Sequence, residues 1–240
     1  IQPTDGGYIV AGQENGDIWI LKISDQGDLI WEYAYGAIDD VEYATSIIKL
    51  DFDLINKYCI VGYNNFGCGI FSLMDGFGNL TYNNYHCPEG GNSSIQYNSV
   101  ESGISSFVIT GSIYDGDLDH YEILLVERDH SGHLISENSM FFPTDGNEIN
   151  PFQEGHDIEI VYPHDYIITG RNTDSLFVLK TTNGNSYEWL YMHETPGFGV
   201  SLLKSNQAYL IAGTKYDTAP NSLLIKLKPG GNLRIVFITY

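Results

Sequence analysis

Tyr58-Cys59-Ile60-Val61-Gly62, Ile70-Phe71-Ser72-Leu73-Met74, Asp75-Gly76-Phe77-Gly78-Asn79-Leu80 and Tyr82-Asn83-Asn84-Tyr85 follow one another in this order and read as strand, strand, turn, strand. The apolar runs are short, rich in β-branched and aromatic residues, and carry no 3.6-residue period, which excludes amphipathic helices. With Ala44 to Leu50 ahead of them they make a unit of four strands, at Ala44 to Leu50, Tyr58 to Tyr63, Gly69 to Met74 and Leu80 to Cys87. In the turn, glycine accepts the left-handed backbone of a bulged hairpin, and a leading Asp or Asn bonds its own backbone. The middle two strands are apolar on both faces, as a sheet packed between two neighbours requires.

Working outward, the same signals recur along the chain. The apolar run ending in glycine appears as Gly7-Tyr8-Ile9-Val10-Ala11-Gly12, Phe107-Val108-Ile109-Thr110-Gly111, Tyr166-Ile167-Ile168-Thr169-Gly170 and Tyr209-Leu210-Ile211-Ala212-Gly213. A second apolar run follows each copy, then a turn containing Gly27, Gly132, Gly184 or Gly231, then an aromatic strand such as Trp31-Glu32-Tyr33 or Trp189-Leu190-Tyr191. A period of about 40–50 residues carrying four strands is the signature of a propeller blade. The sequence therefore predicts an all-β, five-bladed β-propeller with four-stranded antiparallel blades, a single domain over residues 1–240. The blades fall at 1–36, 41–88, 93–142, 157–194 and 198–240, with an insertion at 143–156 that includes Asp145, Glu148, Pro151 and Glu154.

The repeat resembles a family of secreted prokaryotic propellers whose units look like DGGYIVAG…D-W-LK-D-GN-W…YG. Asp5 to Gly12, Asp17-Ile18-Trp19-Ile20-Leu21-Lys22, Gly27-Asp28-Leu29-Ile30-Trp31 and Tyr35-Gly36 carry the likeness most closely. The resemblance implies a propeller fold and an exported location, and it supplies no catalytic residues. Unit one is expected to lack most of its innermost strand, so that the ring closes by packing alone or with a strand from upstream sequence or a neighbouring subunit. The absence of an initial Met and of a signal peptide reads as a mature product or an excised piece.

Composition narrows the partners. Lys and Arg number 11 against 31 Asp and Glu, a formal charge of −20 over 240 residues. Such a surface repels phosphate backbones, so nucleic acid is an unsuitable partner, and no apolar run reaches the roughly 18 residues of a membrane span. Hydrophobic residues at 42% are ample for a core.

Cys68 opens the third strand of unit two and Cys87 ends the fourth. Residues facing each other across the turn at Asp75 to Asn79 have indices summing to about 154 or 155, which predicts a Cys68–Cys87 disulfide and an oxidising compartment; Cys59 is read as a buried thiol. The sequons at Asn79 and Asn92 are candidate glycosylation sites. Asp115, Asp117 and Asp119 have the alternate spacing that converges carboxylates on Ca²⁺, but His120 and Val126 stand where an EF-hand needs Gly and Glu. Calcium is thus the one cofactor the pattern admits, and the bland reading is a solvated hairpin loop. His130 and His133 flank a turn and His86 reads as an edge residue. Ser24-Asp25-Gln26-Gly27 with Trp31 is similar to the Asp-box of sialidase-type propellers, yet the aromatic falls two residues late and Arg128, Arg171 and Arg234 lie on different strands. Asp157 and Glu159, on an inner strand, are the nearest equivalent of a glycosidase carboxylate pair. Aromatic residues in phase with the repeat read as packing between blades, which leaves the out-of-phase Trp19, Tyr43, Tyr97, Tyr114 and Tyr216 as candidate ligand contacts. The resulting expectation is a non-catalytic extracellular binding, adhesion or structural module that meets protein or glycan at the cell surface or self-assembles there. The alternatives are a lectin and a five-bladed glycoside hydrolase.

Overall fold

The computed structural model describes residues 1–4, 6–37, 39–51, 53, 55–89, 92–142, 152–162, 164–182, 186–205, 208–216, 220–231 and 233–236. The described residues form strands and turns, with no helix among them. Unit one comprises β1 (Gln2–Thr4), β2 (Gly7–Glu14), β3 (Asp17–Ile23) and β4 (Leu29–Tyr35); unit two comprises β5 (Glu42–Lys49), β6 (Asn56–Asn64), β7 (Gly69–Asp75) and β8 (Leu80–His86). Unit three is β9 (Ser94–Ser102), β10 (Ser106–Asp115), β11 (His120–Asp129) and β12 (Leu134–Met140). Each is a four-stranded sheet with its strands hydrogen-bonded in chain order, all pairs antiparallel. β1 is short and covers β2 only from Gly7 to Ile9.

Units four and five depart from the expectation of two separate sheets. β13 (Gln153–Tyr162), β14 (Asp165–Asn172), β15 (Ser175–Thr182), β16 (Ser186–Ser205), β17 (Ala208–Tyr216), β18 (Pro220–Leu227) and β19 (Leu233–Val236) form one seven-stranded sheet. The first half of β16 pairs with β15 as far as Pro196, and from Gly197 its second half pairs with β17. The outer strand of unit four thus runs straight into the inner strand of unit five, with no linker to separate them. β13 begins at Gln153, so the last residues of the expected insertion are strand; 143–151, with Asp145, Glu148 and Pro151, lie outside the described residues.

Strand alternation explains why the middle strands are apolar throughout. Ile60 packs with Ile9, Ile18 and Ile20 between units one and two, while its neighbour Val61 packs with Phe71 and Phe107 between units two and three. Ile109 turns to that same cluster and Val108 to the next, with Ile158 and Phe177. Ile168 and Ile167 divide in the same way between the cluster of units three and four and that of units four and five. Period-two geometry sends alternate residues to opposite faces, and each face here meets another sheet.

Two devices set the spacing between units. The inner strands β5, β9, β13 and β16 each carry a bulge, at Thr45, Asn98, His156 and Val200, which have no partner in the pairing register. Opposite each bulge stands the closing glycine of the apolar run. A Cβ there would lie 1.8 Å from the Tyr43 carbonyl oxygen at Gly62, 1.9 Å from that of Gln96 at Gly111, 2.0 Å from that of Glu154 at Gly170, and 2.4 Å from that of Phe198 at Gly213. The bulged side chain then reaches the next unit: Thr45 Oγ1 donates to the Tyr97 carbonyl (2.8 Å), Asn98 Nδ2 to that of Gly155 (2.8 Å), and His156 Nδ1 meets that of Gly199 (2.6 Å). At the outer end, Tyr33, Tyr82 and Trp189 lie against the turn glycines Gly78, Gly132 and Gly231 of the following units, where a Cβ would have 2.5–2.9 Å of clearance. In-phase aromatics of the outer strands therefore pack unit against unit.

The turns themselves share one chemistry. Gly27, Gly78, Gly132 and Gly231 have φ of 78–92°. Asp75 Oδ1 accepts the Phe77 and Asn79 amides, and Asp129 Oδ1 those of Ser131 and His133. In unit one Ser24 Oγ takes this place, accepting from Gln26 and Asp28, so Ser24 rather than Asp25 leads the turn. Gly184 lies outside the described residues.

Candidate functional site

The ends of the sheets where second strands hand over to third strands carry a continuous run of aromatic and charged side chains. Tyr114 at the end of β10 packs on Tyr121 of β11 (centroids 4.9 Å apart), and Tyr121 on Phe152 (4.5 Å). The Arg171 guanidinium lies 4.3 Å over the Phe152 ring and 3.9 Å from Glu154. Glu154 pairs with His156 at 2.5 Å, and His156 meets Phe198 edge-on at 5.8 Å. Phe198 in turn contacts Tyr216, 43% of whose surface is open to solvent. Tyr43 and Tyr63 stack at 5.0 Å in unit two. The Tyr63 hydroxyl is pushed up by burial first, then by Tyr43 and by the Glu154 carboxylate of unit four.

The bulges lie close to the belt. Each stands where an inner strand faces the closing glycine of the second strand, and Tyr63, Tyr114, Arg171 and Tyr216 follow that glycine by one or three places. At Tyr114 the belt adjoins a cleft of about 610 Å³ between units two and three, lined by Asp115, Asp117, Glu122, Glu137 and His86.

The expected candidates divide accordingly. Tyr43, Tyr114 and Tyr216 sit on the belt. Tyr97 does not: it is fully buried, its hydroxyl held by His86 Nδ1 and 3.5 Å from Arg128 Nη2, and burial pushes it up to about 12. Its ring fills the space beneath Gly69, so it is core rather than ligand contact. Trp19 stands apart on β3, its Nε1 donating to Glu32 at 3.2 Å. His86 ends β8, the edge strand of its sheet, where it is half-buried and pairs with Glu137 at 3.0 Å; this bond holds the Glu137 carboxyl below its ordinary range.

Asp115, Asp117 and Asp119 do not converge. Asp115 Oδ1 accepts the Asp117 and Leu118 amides and Asp119 accepts the Tyr114 hydroxyl, which leaves a capped hairpin turn. Among the described residues no three His, Cys, Asp or Glu side chains are grouped to hold a metal ion. Asp157 and Glu159 act as ties between units: Asp157 Oδ1 accepts from Ser99 Oγ of unit three (2.7 Å), its Oδ2 from the Leu202 amide of unit five (2.7 Å), and Glu159 from the Lys204 amide (3.1 Å). Beside them burial, then Glu159 and Asp157, raises the Glu101 carboxyl to about 7.

Cys68 and Cys87 are disulfide-bonded, next to the Gly69–His86 pair whose indices sum as the turn demands, and Cys59 is a buried free thiol. Asn79 and Asn92 are exposed; Asn79 Nδ2 donates to Asp75.

Tyr121, Phe152, Arg171, Glu154, His156, Phe198 and Tyr63 are belt residues that a reading of phase alone passes over. Tyr63 and Arg171 directly follow a closing glycine, and Glu154 and Phe198 each stand two places before a bulged residue, which is the signal these four leave in the sequence.

No model of a known protein family matches the chain, nor does any curated protein. Among solved structures the AfRom2 CNH domain aligns with a TM-score of 0.53 at 11% identity, over 98% of this chain and 68% of that one. AtxE2 isopeptidase in its apo form aligns with a TM-score of 0.32 at 9% identity, over 98% of this chain and 39% of its own. The first likeness is one of fold. This chain spans about two fifths of the length of the isopeptidase.

Proposed function

We propose that the five units close radially into a five-bladed propeller of the secreted prokaryotic type, and that the protein is an exported, non-catalytic recognition module binding at the aromatic belt. The belt carries this reading: seven aromatic rings drawn from units two to five, with Glu154, His156 and Arg171 between them, make a surface for stacking rather than a pocket for chemistry. The disulfide is in keeping with an oxidising, extracellular setting. No helix among the described residues is long and apolar enough to cross a membrane.

Stacked Tyr and Phe faces beside a carboxylate and a guanidinium favour carbohydrate as the ligand over an apolar one, because sugars offer both C–H faces and hydroxyls. A glycan array probed with the labelled chain is expected to give binding that Tyr114→Ala and Phe152→Ala abolish. A silent array removes the lectin reading and leaves a protein ligand, sought by cross-linking at the belt. Hydrolysis of a glycan that is lost on Asp157→Asn or Glu159→Gln would overturn the non-catalytic reading.

A further inference from the structure

The junction between units one and two is hollow where the junction between units three and four is filled. The strand registers put the two in correspondence. Tyr35 pairs with Ile18 and Met140 with Ile123, the residues just before the partners of Gly12 and Gly111, so Ala37 two places on holds the place of Phe142. Ile70 and Phe177 both face a closing glycine, Gly62 and Gly170, and Ser72 and Leu179 stand two places further along. Leu80 and Tyr187 pair with Met74 and Thr181, two places further again. Between units three and four the Phe142 ring meets those of Phe177 and Tyr187, with centroids 6.5 and 5.3 Å apart, and Leu179 packs in the same cluster. Between units one and two these four places hold Ala37, Ile70, Leu80 and Ser72, each smaller, and a cavity of about 320 Å³ opens among them. Its size is at the lower end of small-molecule sites, about 300–1,000 Å³.

The cavity wall carries one buried charge. Glu42 is 2% exposed and stands opposite Asn64, as Gln153 stands opposite Asn172, two places beyond the closing glycine in each unit. At unit four the Phe142 amide donates to Gln153 Oε1 (3.0 Å) and Gln153 Nε2 donates back to the Phe142 carbonyl (2.6 Å). At unit two the Ala37 amide donates to Glu42 in the same way, and the Tyr85 hydroxyl donates to Glu42 Oε1. A carboxylate has no N–H to return to the Ala37 carbonyl, which accepts the Asp40 amide (3.2 Å) and keeps a second lone pair. Both donors to Glu42 are neutral, and among the described residues no ion pair reaches it. Burial above all raises its carboxyl, with Asp40 adding to the effect. Such a carboxylate is costly to hold until a cation meets it. Ser72 Oγ is engaged by Asn83 Oδ1 (2.8 Å), which leaves Glu42 as the group that selects.

We propose that this cavity binds a primary amine with an apolar body. The ammonium takes the place that Gln153 Nε2 has at unit four, donating to Glu42 and to the Ala37 carbonyl, and the body lies against Ile18, Ile60, Ile70 and Leu80. Ala37 and Tyr85 are exposed, and the ligand enters past them. None of these residues belongs to the aromatic belt, so this site is additional to the recognition surface there.

The test is calorimetric titration of the 240-residue chain with 2-phenylethylamine, near neutral pH and at physiological salt, which screens long-range attraction to the −20 charge. Saturable one-to-one binding is expected, with the neutral analogue 2-phenylethanol at least tenfold weaker. Glu42→Gln copies unit four; it is expected to fold, because its amide returns the bond to Ala37, and to weaken the amine at least tenfold. Ala37→Phe copies Phe142 and is expected to remove binding by filling the cavity. The comparison of amine with alcohol on the unaltered chain stands even if neither variant folds. Absence of saturable amine binding, equal binding of the alcohol, or undiminished amine binding by folded Glu42→Gln or folded Ala37→Phe overturns the proposal.

Discussion

Gly12 and Gly111 close the same apolar run in units one and three, but their surroundings are opposite. A side chain at Gly111 would stand 1.9 Å from the Gln96 carbonyl oxygen; at Gly12 it would stand in open space. The glycine is therefore demanded by the bulge on the neighbouring strand, and not by the strand that carries it. Neither residue has a positive φ, so the reason is close approach rather than backbone conformation.

The largest effect expected from this contrast is on stability. Gly111→Val should cost about 3 kcal/mol or more, because backbone cannot yield as a side-chain tip does, whereas Gly12→Val should stay within about 0.5 kcal/mol. Urea denaturation of both variants checks it, and equal losses would break the comparison. Unit two carries a staple that unit one lacks. Replacing Cys68 and Cys87 by Ala opens a loop of sequence separation 19 and should lower stability by about 3 kcal/mol without moving the belt.

A smaller effect comes from Glu101 on β9, half-buried where units three and four meet, a setting unit one does not reproduce. Its folded value of about 7 lies above the ordinary carboxylate range, so the folded state holds the proton more tightly than the unfolded chain. Stability is then undiminished below about pH 4 and declines as pH rises through about 7, where that carboxylate must ionise. Glu101→Gln should flatten that decline and raise stability at pH 8 by on the order of 2 kcal/mol, measured as melting temperature against pH. The smallest effect is at the inner tie: Thr45→Val removes the bond to the Tyr97 carbonyl and should cost about 1 kcal/mol.

Much of this was legible in residue order. The strands of unit two lie within two residues of where alternation and turns put them, because hairpin geometry is local. The Cys68–Cys87 bond followed from the same arithmetic, since one turn sets the register of its two strands. The belt was half legible. Tyr43, Tyr114 and Tyr216 stood out as breaking the phase of the repeat, and so did Tyr97, which the fold buries. Whether an out-of-phase ring faces solvent or a neighbouring sheet depends on what packs against it, as Gly69, His86 and Arg128 do on Tyr97, and those partners lie at other places in the chain. Asp157 and Glu159 show the same limit: their oxygens are taken up by Ser99, Leu202 and Lys204, two of them from β16, more than forty positions away.

What residue order determined is the repeat, the strands and their turns, for these rest on contacts a few positions apart. What only the tertiary structure decided is which glycines are obligatory, how units four and five merge through β16, and which aromatics meet at one end. Those depend on how one sheet's carbonyls and rings approach the next, and such distances are set by packing across long separations in the chain.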